Sequence, residues 1–168
     1  FINVNISGKQ FATTGFVDLI QKILAETKLD PHCLKLEITE SVLIENIGTA
    51  NTIFTYLEKL GIQFEIDDFG TGYSSISYLQ HLPIHTIKID KSFVHDVAEG
   101  SKGIELIQAM ISMAENLGME TIAEGVETKE QLAKLEDLNC SFVQGFLLSH
   151  PMDRYDATEY LMKTIDSA

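Results

Sequence analysis

Basic residues are scarce in this chain. Lys and Arg number 12 against 25 Asp and Glu, a net charge of −13 over 168 residues. Binding to polymeric nucleic acid rests on Lys and Arg contacts to phosphate, so the balance argues against it. A small anionic ligand stays open if metal ions supply positive charge locally. Cysteine is scarce too: Cys33 and Cys140, with no CxxC spacing. That excludes a disulfide framework and reads as two reduced, buried thiols in a cytoplasmic domain. No apolar run approaches the ~20 residues that span a bilayer, and no signal peptide is visible. Linkers, low-complexity runs and fixed repeats are missing as well, so 1–168 reads as a single domain. With 45% hydrophobic residues it can bury a sizeable core. The chain opens Phe1-Ile2-Asn3, directly into strand-like sequence, and is expected to be a piece of something longer.

What is present is organised around residues 61–75, G-I-Q-F-E-I-D-D-F-G-T-G-Y-S-S. Ile62, Phe64 and Ile66 recur at period two, the pattern of a buried strand. The strand ends in Asp67 and Asp68. Adjacent strand residues face opposite ways, so the pair cannot act as two identical arms. Where the chain leaves the sheet, one can point inward while the other sits on the rim. Gly70 and Gly72 give the following loop backbone freedom. On spacing alone, a turn with a helix cap explains the pair equally well.

Strands are expected at 1–6, 34–38, 62–67, 84–89, 119–123 and 141–143, and helices at 15–27, 47–60, 74–82, 104–117, 131–138 and 155–165. This alternation with short connections implies a parallel sheet with right-handed crossovers. A doubly wound sheet and a (β/α) barrel both fit it. The polar residues favour the barrel. Asn5, Glu37, Asp67, Lys88, Glu124 and Gln144 each fall at the C-terminal end of a different strand, and in a barrel those ends share one mouth.

Three carboxylates and an amide oxygen, with neither Cys nor His, form a hard oxygen-donor set that suits Mg2+ or Mn2+. Lys88 among them suits an anionic transition state. Asp67 beside Asp68 suggests a carboxylate bridging two metals, an arrangement used for attack of water on phosphodiesters. One layer lower, Lys35 precedes Glu37 by two and Glu65 precedes Asp67 by two. Strand alternation turns both inward on neighbouring strands, so a buried ion pair is expected. The scattered His32, His81, His85, His95 and His150 lack ligand spacing. Met110, Met113 and Met119 read as core. Glu45, Glu58, Glu99 and Glu136 read as a solvated face.

The segments V-N-I-S, L-E-I-T-E-S, D-D-F-G-T-G-Y-S-S, K-I-D-K-S-F-V, A-E-G-V-E-T and Q-G-F-L-L-S-H-P occur in the order of the EAL-domain family of cyclic di-GMP phosphodiesterases, and the whole chain resembles it. The resemblance implies an α/β fold: a partial (β/α)8 TIM-like barrel with six of eight βα units. It implies hydrolysis of cyclic di-GMP to linear pGpG with Mg2+ or Mn2+. By position, it assigns metal ligation to Asn5, Glu37, Asp67, Glu124 and, at a second metal, Asp68. It assigns Lys88 to the attacking water, Gln144 to positioning that water, Glu40 to steadying the Asp-Asp-Phe-Gly loop, and Glu127 to an acidic wall. The glutamate of the Glu-Ala-Leu signature and a ligand-binding arginine are expected before Phe1. The chain alone is therefore expected to be weakly active or inactive and to self-associate, with a regulatory domain upstream and a parent protein that is cytoplasmic or membrane-tethered. Phe146 stands where tyrosine is common, and Glu65 where a small residue is usual. The alternative is a degenerate domain that senses the nucleotide without cutting it.

Overall fold

Six strands build the frame: β1 (Ile2–Asn5), β2 (Leu34–Thr39), β3 (Gln63–Phe69), β4 (Thr86–Ile89), β5 (Glu120–Ala123) and β6 (Phe142–Val143). The computed structural model describes residues 1–72, 76–96 and 101–165. The strands pair in sequence order, all parallel, in one sheet. Around them lie α1 (Gly8–Phe11), α2 (Phe16–Thr27), α3 (Glu40–Glu45), α4 (Ile47–Glu58), α5 (Ile76–Leu79), α6 (Lys91–Asp96), α7 (Ser101–Asn116), α8 (Lys129–Asp137) and α9 (Arg154–Ile165).

The sheet curls. In a flat one β1 and β6 would stand about 24 Å apart, five spacings of ~4.8 Å. Here Phe1 and Asn3 at one edge line a single 420 Å3 cavity with Phe142 and Gln144 at the other. Asn3 also reaches past β2 to β3, where its amide bonds Glu65. This is the partial α/β barrel expected, with six parallel strands and helices outside. Among the described residues no ladder joins β6 to β1.

Both faces of the central strands are buried, for different reasons. Outward, Leu36, Ile38, Phe64, Ile66 and Ile87 pack under the helices with Phe11, Phe54 and Leu57. The Phe54 and Phe64 rings stack at 4.1 Å, and Phe11 meets Phe54 edge-on at 5.6 Å. A second apolar cluster joins Ile89, Val94, Ile107, Ile111, Ala123, Val126 and Leu135. Inward, Lys35, Glu37, Glu65, Thr86 and Lys88 are buried and polar. Covering both faces is the normal condition of a parallel sheet.

Helical periodicity misplaces a few side chains. In α2, Phe16, Ile20 and Leu24 are buried, whereas Leu19 and Ile23 of the same stripe are exposed. In α4, Ile47 is exposed while Ala50, Phe54 and Leu57 are buried, and of the two cysteines expected to be buried, Cys33 is exposed and Cys140 half-buried. The short helices α1, α3 and α6 have no counterpart in the expected pattern. Four to six residues show too little period, and tertiary contacts hold such helices. Residues 73–75 of the central loop, the start of the helix expected at 74–82, and Glu99 lie outside the described residues.

Candidate metal centre

The site grows from the end of β3. The β3–β4 register shifts between Ile66 and Phe69, and Asp68 takes a left-handed backbone with φ 53°. Regular alternation would send Asp68 away from Asp67. The irregularity brings both to one place. Ligand oxygens of Asp67, Asp68 and Glu124, the last just past β5, all lie within 4.8 Å of one another.

Lys88 of β4 rises into this group. Its Nζ donates to Glu37 Oε2 at 2.9 Å and stands 2.7 Å from Glu124 Oε1 and 3.0 Å from Asp67 Oδ1. The Asp67 contact is electrostatic rather than a directed hydrogen bond: Asp67 Oδ1 is buried with no hydrogen-bond partner among the described residues. Burial alone would lower the Lys88 pKa, but hydrogen bonds to Glu124 and Glu37 outweigh it and hold the ammonium well above the ordinary lysine range. Burial pushes Glu124 up despite Lys88, with the charges of Asp67 and Glu37 adding to it. Asp68 is raised by burial, then by Asp67 and Asp90. Carboxyls that remain raised beside an ammonium are short of positive charge. The oxygen-only donors, converging within 4.8 Å, fit a hard divalent cation.

Glu40, 1% exposed, opens α3 beneath the β3 loop. Its Oε2 accepts from Gly70 N at 3.3 Å and its Oε1 from Tyr78 Oη at 3.3 Å. Gly72 runs beside it, where a Cβ would be in van der Waals contact with its carboxylate. Glu127 and Gln144 flank the mouth. With Lys91, Glu124, Gly125, Gly145 and Phe146 they line a 240 Å3 cavity beside the carboxylates. Gln144 is held by its backbone, which donates to Ala123 O and accepts from Val126 N. Gly145 passes so close to Val126 that any side chain would strike its backbone.

Of the residues expected here, Glu37, Asp67, Lys88 and Glu124 meet directly, and Asp68 joins through the β3 irregularity. Glu40 sits under the loop, and Glu127 and Gln144 sit on the wall. Asn5 stands opposite Glu37 in the β1–β2 register but is exposed. The amide that reaches Glu37 is that of Asn3, whose Nδ2 lies 2.8 Å from Glu37 Oε1. The period-two rule that picks out Lys35 and Glu65 would also have found Asn3, two residues before Asn5. The Lys35–Glu65 pair forms as expected, at 2.8 Å.

The profile described as EAL domain matches residues 1–151. The chain belongs to the EAL-domain family. It is 39% identical over 160 residues to the cyclic di-GMP phosphodiesterase NbdA of Pseudomonas aeruginosa, covering 95% of this chain and 20% of that protein. A structure described as the phosphodiesterase MucR of the same organism in complex with cyclic di-GMP superposes with a TM-score of 0.89 at 39% identity, covering 93% of this chain and 63% of that one. The manganese and cyclic di-GMP complex of Klebsiella pneumoniae BlrP1 superposes at 0.81 with 29% identity, over 89% of this chain and 38% of that one. This EAL chain spans about a fifth of the length of the curated relatives it matches. No helix among the described residues is long and apolar enough to cross a membrane.

Proposed function

We propose that this EAL domain hydrolyses cyclic di-GMP to linear pGpG in the cytoplasm, with Mg2+ or Mn2+ bound at the strand ends. The observation that carries the reading is the convergence of Asp67, Asp68 and Glu124 oxygens, with the protonated Lys88 against Asp67 and Glu124. The phosphodiesterase and cyclic di-GMP descriptions of the relatives supply the substrate.

In this reading Glu37, Asp67, Asp68 and Glu124 hold the cations, with Asn5 at the rim. When bound, they supply Lewis acidity toward the phosphoryl oxygens. Lys88 carries a proton and a positive charge at the point where the pentavalent phosphate gathers negative charge. Three carboxylates surround its ammonium at 2.7–3.0 Å. To act on the phosphate or the attacking water it gives up one of them. Glu40 fixes the Gly70–Gly72 turn and, through it, the Asp67–Asp68 geometry. Gln144 and Glu127 orient water and ligand along the wall. Because no ladder joins β6 to β1 among the described residues, turnover by the 168-residue chain is expected to be low.

The test is conversion of cyclic di-GMP to pGpG, followed chromatographically with Mn2+, with Mg2+ and with chelator. In the parent protein, Asp67→Asn keeps size but loses charge and bridging capacity, and should cut the rate a hundredfold or more, ~3 kcal/mol. A variant within tenfold of wild type would remove the two-metal assignment. Tight binding of cyclic di-GMP by the parent protein without cleavage under any metal condition would favour the sensing alternative.

A further inference from the structure

Below the carboxylate mouth lies a second polar layer that the proposed reaction does not use. Glu65 is 1% exposed and Lys35 5%. Lys35 Nζ donates to Glu65 Oε1 at 2.8 Å. The other Glu65 oxygen accepts from Asn3 Nδ2 at 2.7 Å, and the same Nδ2 donates to Glu37 Oε1 at 2.8 Å. The amide orientation follows from its partners: two carboxylates can be met by the NH2 group and not by the carbonyl. Both of its hydrogens are thus committed, one to each glutamate. Glu37 Oε2 faces the other way, to Lys88.

We propose that Asn3 is a positioning residue for the metal centre: anchored by the Lys35–Glu65 pair, its amide holds Glu37 Oε1 and so fixes the carboxylate whose Oε2 meets Lys88 among the candidate ligands. This rests on the metal-site reading above. Three features of the layer support it. Glu37 comes from a side chain with three rotatable bonds, and a donor on one oxygen is what fixes a ligating carboxylate. Lys35 cancels the Glu65 charge, so the anchor adds an acceptor without adding net repulsion beneath the ligands. Asn3 belongs to β1, an edge strand, and is itself exposed. Packing alone gives it little reason to face inward, whereas two carboxylates at hydrogen-bond distance give it a strong one.

The experiment uses the 168-residue chain and three readouts: the Mn2+ dissociation constant by calorimetry, the melting midpoint with and without Mn2+, and a crystal structure of the variant. Asn3→Ser cannot span both glutamates. It should weaken Mn2+ binding about tenfold or more, shrink the rise in midpoint that Mn2+ produces, and show Glu37 turned from its wild-type rotamer. Lys35→Met with Glu65→Leu, which frees Asn3 but leaves its bond to Glu37, should fall between wild type and Asn3→Ser. Ile20→Val, remote in α2, serves as a purely structural control that lowers both midpoints and leaves the Mn2+ increment unchanged. If Asn3→Ser behaves like Ile20→Val, or keeps the Glu37 rotamer, Asn3 does not position the ligand. If the wild-type chain shows no Mn2+ response, indistinguishable from Asp67→Asn, the metal reading falls and this inference falls with it.

Discussion

At the residue scale, Lys88 and Glu65 show how differently two buried charges in one barrel are placed. Lys88 ends among several carboxylates at the mouth, where a counter-charge can be exchanged for a ligand. Lys88→Ala should therefore lower kcat far more than it weakens cyclic di-GMP binding, read by single-turnover kinetics beside equilibrium titration. Equal losses in both would make it an anchor for the nucleotide. Glu65 lies deeper, paired with Lys35 at side-chain exposures of 0% and 6%. Removing one partner of such a pair strands the other charge away from water. Glu65→Ala should cost about 3 kcal/mol, and adding Lys35→Met should recover much of that loss. A double-mutant cycle in urea with additive losses would show that the pair is not coupled.

At the element scale, caps and irregularities matter more than the elements they end. Asp90 closes β4 and caps α6: its Oδ1 accepts from Ser92 N at 3.0 Å and Ser92 Oγ at 2.6 Å. Burial would raise its carboxyl, but the Ser92 bonds prevail and hold it below the usual aspartate range. A depressed carboxyl contributes stability that is fully present above its unfolded pKa, about 3.9, and is lost as pH falls through the folded value. Asp90→Ala should cost about 1 kcal/mol near neutrality. The gap between wild type and variant in denaturant melts should narrow below about pH 4; a constant gap down to pH 2 would discard the charged cap. The strand and helix pattern of the chain is legible because long elements repeat their period. The short helix α1 was also legible in principle, since Ser7 and Gln10 form a reciprocal cap. The left-handed turn at Asp68 was not. Nothing about an Asp-Asp pair announces a shift in register, which depends on how β3 meets β4.

At the scale of the whole molecule, the open sheet is the dominant feature. Among the described residues β1 and β6 are edges, and Phe1, Ile2, Val4, Phe142, Phe146 and Leu148 near them are all exposed, Phe1 at 78%. Unpaired edges beside apolar surface favour association. Light scattering after size exclusion should give a mass well above 18.7 kDa at micromolar concentration. A clean monomer would show that the exposed edges are harmless.

Alternation within strands is a property of the backbone, so the sequence by itself determined which residues face inward. It placed Glu37, Asp67, Lys88 and Glu124 on converging strand ends, and it placed Lys35 and Glu65 in one layer. It also carried the family, through motifs that keep their order. Distances between strands belong to the curled sheet, and only the tertiary structure decided those. The curl let Asn3 reach past its neighbour to Glu65 and Glu37 and left Asn5 exposed. It set Lys88 against several carboxylates rather than one, and the bulge at Ile66–Phe69 turned Asp68 into the site. Each depends on how far one strand lies from another, and no local period records that.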